Sequence, residues 1–91
     1  MLNVADEVMI ERSLQDKKWG EQNHSDTLWL AILGEEFGEV ARAMLQQDGD
    51  MSGVVRDELL QVAAVAVAWV ESLDRRPLLN DPSMGGGYAT L

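Results

Sequence analysis

The chain has 91 residues, which is enough for one domain and too short for two. Sixteen acidic against seven basic residues give a formal net charge of −9, which argues against nucleic acid as a partner because binding to phosphate backbones needs clustered basic side chains. The absence of cysteine and the presence of one histidine exclude disulfides, thiolate zinc sites and His-rich metal sites, so any metal would be held by oxygen atoms.

The first predicted helix covers residues 3–18. Asn3 is a suitable N-cap, and acidic side chains in the first turn with lysines in the last turn complement the helix dipole. The polar stretch 20–25 predicts a loop, after which Ser25 or Asp26 caps the next helix. The N-terminal residues lack the basic segment and apolar core of a signal peptide, so we expect a cytoplasmic protein without a membrane partner.

The second predicted helix covers residues 27–47, where apolar side chains recur at intervals of three and four. Residues 46–50 are polar and end it. Gly34 and Gly38 lie inside this helix, and each costs roughly 1 kcal/mol relative to alanine. We therefore expect another segment to approach the helix backbone at these glycines.

The third predicted helix covers residues 54–73, and its stretch 59–70 is apolar at every position except Gln61. A helix that is apolar all round is buried all round, and this stretch is shorter than the roughly 20 residues of a membrane span. Two flanking helices cannot cover it, so we expect a second subunit to do so. Arg75 and Arg76 complement the dipole at the helix end, and Pro77 stops the helix.

These patterns predict an all-α fold in residues 1–77, with three main antiparallel helices, or four if a short helix is added, forming an oligomeric helical bundle. Residues 78–91 contain one charge, a proline and three consecutive glycines, which is typical of a loosely ordered tail.

The segment 34–39 carries the most informative acids. On a helix, Glu36 and Glu39 share a face, as do Glu35 and Glu39. Their repulsion is small on a wet surface and much larger on a partly buried face, unless a cation neutralises it. If the second and third helices pack antiparallel, Glu58 and Gln61 face this pair, and the resulting all-oxygen cluster suits magnesium. The alternative is that these glutamates are solvated charges on the helix surface.

Residues 29–43 and 56–62 resemble the MazG-like nucleoside triphosphate pyrophosphohydrolases, and the similarity covers about residues 17–73. The resemblance implies an all-α homodimer or homotetramer that holds Mg²⁺, or Mn²⁺ in its place, with an E-x-x-E and an E-x-x-D motif. Glu36, Glu39 and Glu58 then match metal-binding and catalytic positions. Gln61 stands where the family has the closing aspartate, and it offers an oxygen ligand without a charge. Glu35 matches a frequent acidic neighbour, which would orient the attacking water.

The segment 18–24 resembles the stretch that precedes the metal-binding helix in these relatives. The resemblance implies that Trp19 stacks on the nucleobase and that Asn23 or His24 hydrogen-bonds to base or sugar. In the alternative reading Trp19 closes the core beside the first helix and His24 caps the second. The cations available for the phosphates are Lys17, Lys18, Arg42 and Arg56.

The function that follows is magnesium-dependent hydrolysis of a nucleoside triphosphate, with or without the 2′-hydroxyl, to the monophosphate and pyrophosphate. The alternative is a non-catalytic helical oligomer that senses nucleotides or binds a partner. A di-iron carboxylate protein is disfavoured, because such sites use Glu-x-x-His pairs and the single histidine lies outside both acidic helices.

Overall fold

The computed structural model describes residues 1–46 and 52–76, and these residues form three α-helices and no β-strand. The helices are α1 (Val4–Trp19), α2 (Asp26–Gln46) and α3 (Ser52–Asp74). The predicted all-α class is therefore confirmed for the part of the chain that the structure describes. The predictions made for residues 47–51, for Pro77 and for the tail 78–91 lie outside the described residues.

The starts of α1 and α2 are set by local side-chain caps. The Asn3 side chain accepts a hydrogen bond from the Asp6 backbone N–H at 2.8 Å, and the Asp6 carboxylate accepts one from the Asn3 N–H at 3.3 Å. At α2 the Ser25 hydroxyl oxygen accepts from the Leu28 N–H at 3.2 Å. Ser25 is therefore the cap of α2, and the alternative reading of His24 as the cap is wrong.

Gly20 ends α1 and turns the chain into the loop 20–25. Its φ of 74° and ψ of −173° lie in a region that is essentially restricted to glycine. The Gly20 N–H donates to the Asp16 carbonyl oxygen at 2.8 Å, which closes the last turn of α1. The loop can leave the helix in this direction only because residue 20 has no side chain.

Helix α3 packs against both α1 and α2, and half of the buried apolar residues in the described part of the chain belong to it. The buried cluster consists of Trp29 from α2 with Val65 and Ala68 from α3. Partly buried apolar side chains surround it, namely Ile32, Leu33 and Trp69. Ala64 of α3 is fully buried, and its small side chain allows a neighbouring helix to lie close to α3.

An ion pair between Arg12 and Glu71 links α1 to α3. Arg12 is only 6% exposed, and its Nε donates to a Glu71 carboxylate oxygen at 2.8 Å while its Nη1 donates to Asp16. Burial disfavours the charged guanidinium, but the hydrogen bonds to Asp16 and Glu71 outweigh this penalty and raise the Arg12 pKa. This ion pair holds the α1 face that borders the candidate site against the central helix.

Several apolar side chains stay exposed within the single chain. Leu59 and Val70 of α3 are about half exposed, so the expected burial of that helix on every side is not reached in one chain. A Cβ atom added at Gly34 or Gly38 would meet no described atom within 4 Å, so the expected close approach at these glycines is wrong for the single chain. Among the described residues, no helix is both long enough and apolar enough to cross a membrane.

Candidate functional site

The Glu36 carboxylate on α2 is the centre of a group of like charges. Glu36 is partly buried, and its pKa is raised first by desolvation and then by the charges of Glu58, Glu35 and Glu39. Glu58 belongs to α3, so its influence on Glu36 depends on how the two helices pack. The structure therefore brings the acids of both predicted motifs within electrostatic range of each other.

A further acid, Glu11 of α1, also belongs to this group, and sequence reasoning missed it. Glu11 is partly buried, and its charge contributes to the raised pKa of Glu36. The available signal was spacing: Glu11, Gln15 and Trp19 recur every four residues, so they share one face of α1. That face carries Trp19, which the sequence had already marked as a candidate base-stacking residue.

The five carboxylates do not form a ready-made set of metal ligands. Among residues 1–46 and 52–76, no three acidic or histidine side chains are arranged to hold an ion. Like charges favour side-chain orientations that point apart, and one Glu39 oxygen lies 3.6 Å from the Arg42 guanidinium. The chemistry of the group nevertheless fits a hard divalent cation, because every donor is an oxygen and a cation would relieve the repulsion at Glu36.

A cavity of about 240 Å³ adjoins the acids, since Glu35 and Glu36 form part of its wall. Its other lining residues are Gln15, Trp19, Gln22, Trp29, Ile32, Val65 and Ala68. Trp19 is 56% exposed, and the Lys18 ammonium lies 4.7 Å from the centre of its ring. The cavity is smaller than the roughly 300 Å³ at which pockets for drug-sized ligands begin.

Gln61 lies on the side of α3 that faces α1. It borders a shallower depression of about 190 Å³ together with Glu11, Leu14, Gln15, Lys18 and Trp19. Gln15 and Trp19 also line the first cavity, so the two depressions are neighbours. Gln61 thus shares a depression with Glu11 and Trp19, whereas the cavity that Glu36 lines does not include Gln61.

The loop 20–25 carries the other candidate nucleotide-binding residues. The His24 ring Nε2 is 2.6 Å from the Gln22 side-chain oxygen, and the ring meets Trp29 edge-on at a centroid distance of 4.9 Å. Asn23 donates to the Glu21 carboxylate at 3.0 Å. Trp29 itself is 2% exposed, as expected for a core residue, and its Nε1 has no hydrogen-bond partner among the described residues.

The structure does not bring all the predicted phosphate-binding cations to the acids. Arg56 forms a two-point ion pair with Glu7 of α1, in which the Nη1–Oε1 distance is 2.9 Å. The hydrogen bond and charge of Arg56 lower the Glu7 pKa. Arg42 is exposed and lies near Glu39, while Lys18 lies over Trp19.

Comparison of the chain with protein-family models, with curated proteins and with solved structures finds no match. The resemblance of residues 29–43 and 56–62 to the MazG-like enzymes therefore stands on those residues alone.

Proposed function

We propose that the protein hydrolyses a nucleoside triphosphate to the monophosphate and pyrophosphate, in a magnesium-dependent reaction in which water attacks the α-phosphorus. The observation that carries this proposal is the partly buried Glu36 carboxylate, which borders a tryptophan-lined cavity and has its pKa raised by burial and by four neighbouring acids. Such surroundings disfavour the ionised form, and a bound cation would relieve this cost. Carboxylates with perturbed pKa values beside a cavity are typical of functional sites.

The residues that would hold magnesium, or manganese, are Glu36 and Glu39 on α2 and Glu58 on α3, with Gln61 as a neutral ligand. When bound, such an ion polarises a phosphoryl oxygen and lowers the pKa of a coordinated water. We assign to Glu35 the orientation of the attacking water, because Glu35 borders the same cavity as Glu36. The raised pKa of Glu36 also predicts that protons compete with the cation for this ligand.

The cavity beside the acids would take the nucleobase. Trp19 is exposed enough to stack on a base, and such stacking contributes about 1–3 kcal/mol per base in nucleic-acid-binding proteins. Asn23 and His24 would offer hydrogen bonds to base or sugar. Lys18 and Arg42 would neutralise phosphate charge, whereas Arg56 can do so only if its ion pair with Glu7 opens.

The experiment is an assay of pyrophosphate release by the purified full chain, with magnesium and a panel of ribo- and deoxyribonucleoside triphosphates. Glu36→Gln and Glu39→Gln should each lower kcat by about a hundredfold or more, as removal of a group that stabilises the transition state commonly does. Asp74→Asn is the matched control, since Asp74 is exposed at the far end of α3 from Glu58. The proposal is wrong if no triphosphate is turned over, or if Glu39→Gln is as active as the parent.

A second candidate is a non-catalytic helical oligomer that senses nucleotides or binds a partner. It is favoured by Gln61, which brings no charge to the position of the family aspartate, and by the lack of a ligating set of three acids among the described residues. Calorimetry separates the two candidates. Nucleotide binding without turnover supports sensing, and turnover of any triphosphate excludes a non-catalytic role.

We further propose a homodimer or homotetramer in which a second copy covers an apolar stripe on α2. The stripe consists of Leu30, Phe37 and Met44, which lie seven residues apart and are 61%, 64% and 61% exposed. Gly34 and Gly38 leave open space beside it, which would admit the side chains of a partner helix. Phe37→Glu should convert the assembly to monomers in sedimentation velocity, and a parent that already sediments as a monomer would refute the proposal.

The antiparallel arrangement is proposed for α2 and α3. Asp26, the first residue of α2, accepts hydrogen bonds from Trp69 and Arg76 at the end of α3, which supports opposite directions for these two helices. Glu7 and Arg12 of α1 pair with Arg56 and Glu71 of α3, respectively. The ion pairs therefore occur in the same order along the two helices, which supports the same direction for α1 and α3. We therefore propose that α1 runs in the same direction as α3 and opposite to α2, so that helices adjacent in the chain are antiparallel.

A further inference from the structure

Two consecutive arginines at the end of α3 hold the loop 20–25. Arg75 donates from Nη2 to the Gln22 carbonyl oxygen at 2.9 Å and from Nε to the Asn23 side-chain oxygen at 3.0 Å. Arg76 donates from Nη2 to the His24 carbonyl oxygen at 2.7 Å. Three successive loop residues are thus bound by side chains that lie more than fifty positions later in the chain.

The arginines are themselves held in place. The Arg75 N–H donates to the carbonyl oxygens of Glu71 and Ser72, at 3.1 and 3.2 Å, and the Arg76 N–H donates to that of Leu73 at 3.1 Å. The Arg76 Nη1 also donates to the Asp26 carboxylate at 3.1 Å. This arginine pair therefore links the end of α3, the start of α2 and the loop between α1 and α2.

The loop in turn shapes the cavity. Trp19, which precedes the loop, and Gln22 within it both line the cavity, and His24 packs its ring against Trp29, another lining residue. We infer that Arg75 and Arg76 are positioning residues that hold this wall of the cavity and so set which nucleobase it accepts. The part of this inference that concerns nucleobases rests on the proposed function.

The contacts of Arg75 and Arg76 differ from those expected if the two arginines only complemented the helix dipole of α3. Any cation in the last turn of α3 complements the dipole, whereas the observed contacts use the planar, multi-donor guanidinium group to reach oxygens of separate residues. A lysine keeps the charge but cannot reproduce this two-point geometry. Arginine-to-lysine variants therefore separate the two roles.

The first test is spectroscopic and needs no substrate. The chain has one histidine, so its ring protons give a single set of NMR signals, and the edge-on contact with Trp29 displaces these signals from their position in an unfolded peptide. Arg76→Gln and Arg76→Lys should both return the signals toward the unfolded position while circular dichroism shows an intact helical fold. Lys17→Gln, which removes an exposed charge, is the control and should leave them in place.

Arg75→Gln provides a second variant at a more exposed position if Arg76→Gln does not fold, because the Arg75 side chain is 33% exposed against 18% for Arg76. It should likewise move the His24 signals, since it frees Gln22 and Asn23. Unchanged His24 signals in a folded variant of either arginine would overturn the inference.

The second test is kinetic. Arg75→Lys and Arg76→Lys should raise KM for the preferred triphosphate about tenfold while kcat changes less than about threefold, because the substitutions disturb binding and leave the acids intact. Recovery of the parent KM in the lysine variants, with the glutamine variants impaired, would show that charge alone suffices and would refute the positioning role. If the parent turns over no triphosphate, the proposed function fails, while the His24 signals still decide whether the arginines position the loop.

Discussion

Replacing Glu36 by glutamine tests whether the carboxylates of the site repel each other in the folded protein. Glutamine keeps the size of the side chain and removes its charge. Burial and the neighbouring acids raise the Glu36 pKa above its ordinary value of 4.5, so the folded state binds this proton more tightly than the unfolded state does. The free energy of unfolding therefore falls as the pH rises from about 4.5 through the folded-state pKa, and it stays lowered at neutral pH.

The expected size of the effect follows from the four carboxylates that act on Glu36. Glu39 lies three residues from Glu36 on the same helix, and like-charge pairs at that spacing cost about 0.2–0.5 kcal/mol. The same order of magnitude for each of the four acids gives about 1–2 kcal/mol before allowance for screening, and desolvation, the largest cause of the shift, adds to it. Screening by solvent and salt keeps the expected gain of Glu36→Gln at pH 7, without divalent cations, near 1 kcal/mol. For a domain of this size such a gain raises the thermal midpoint by about 4–8 °C.

The assay is thermal unfolding followed by circular dichroism, at one protein concentration, in low salt with a chelator, at pH 7 and at pH 4. The gain should shrink at pH 4, where the parent Glu36 is largely protonated in both states. Magnesium should then raise the midpoint of the parent more than that of the variant. Asp57→Asn is the control, because Asp57 carries the same charge on α3 but does not contribute to the shift at Glu36. A variant that melts at or below the parent at pH 7, or gains equally at pH 4, would refute the reasoning.

Three other substitutions have defined outcomes. Gly20→Ala should lower the free energy of unfolding by about 1–3 kcal/mol through backbone strain alone, since no described atom beyond the two adjacent residues lies within 4 Å of the added Cβ. An unchanged urea midpoint would contradict this. Arg12→Leu should lower the free energy of unfolding by about 1–2 kcal/mol in the same assay. This is less than the cost of breaking a fully buried ion pair, because the side chains of Glu71 and Asp16 are 39% and 51% exposed. A loss of about 3 kcal/mol or more would contradict this reasoning. Gln61→Asp should tighten magnesium binding in calorimetry, and an unchanged affinity would place Gln61 outside the metal shell.

The helix ends in the described part of the chain could be predicted to within two residues, because the signals that start and stop a helix are local. Asn3 and Ser25 cap the helices that they precede, and Gly20 ends α1 with a backbone conformation that other residues avoid. The predicted close approach at Gly34 and Gly38 does not occur within the single chain. Whether a segment packs on Gly34 and Gly38 depends on a contact that the glycines permit but do not create.

By itself, the sequence determined the three helices and the shared face of Glu36 and Glu39, because helical periodicity places residues three and four apart together whatever the rest of the chain does. Only the tertiary structure decided that Glu11 joins these acids, that Arg56 pairs with Glu7, and that the arginine pair holds the loop 20–25. These contacts join residues that are 25 to 53 positions apart. They depend on which helix faces meet when Trp29 packs against Val65 and Ala68, and no local pattern encodes that choice.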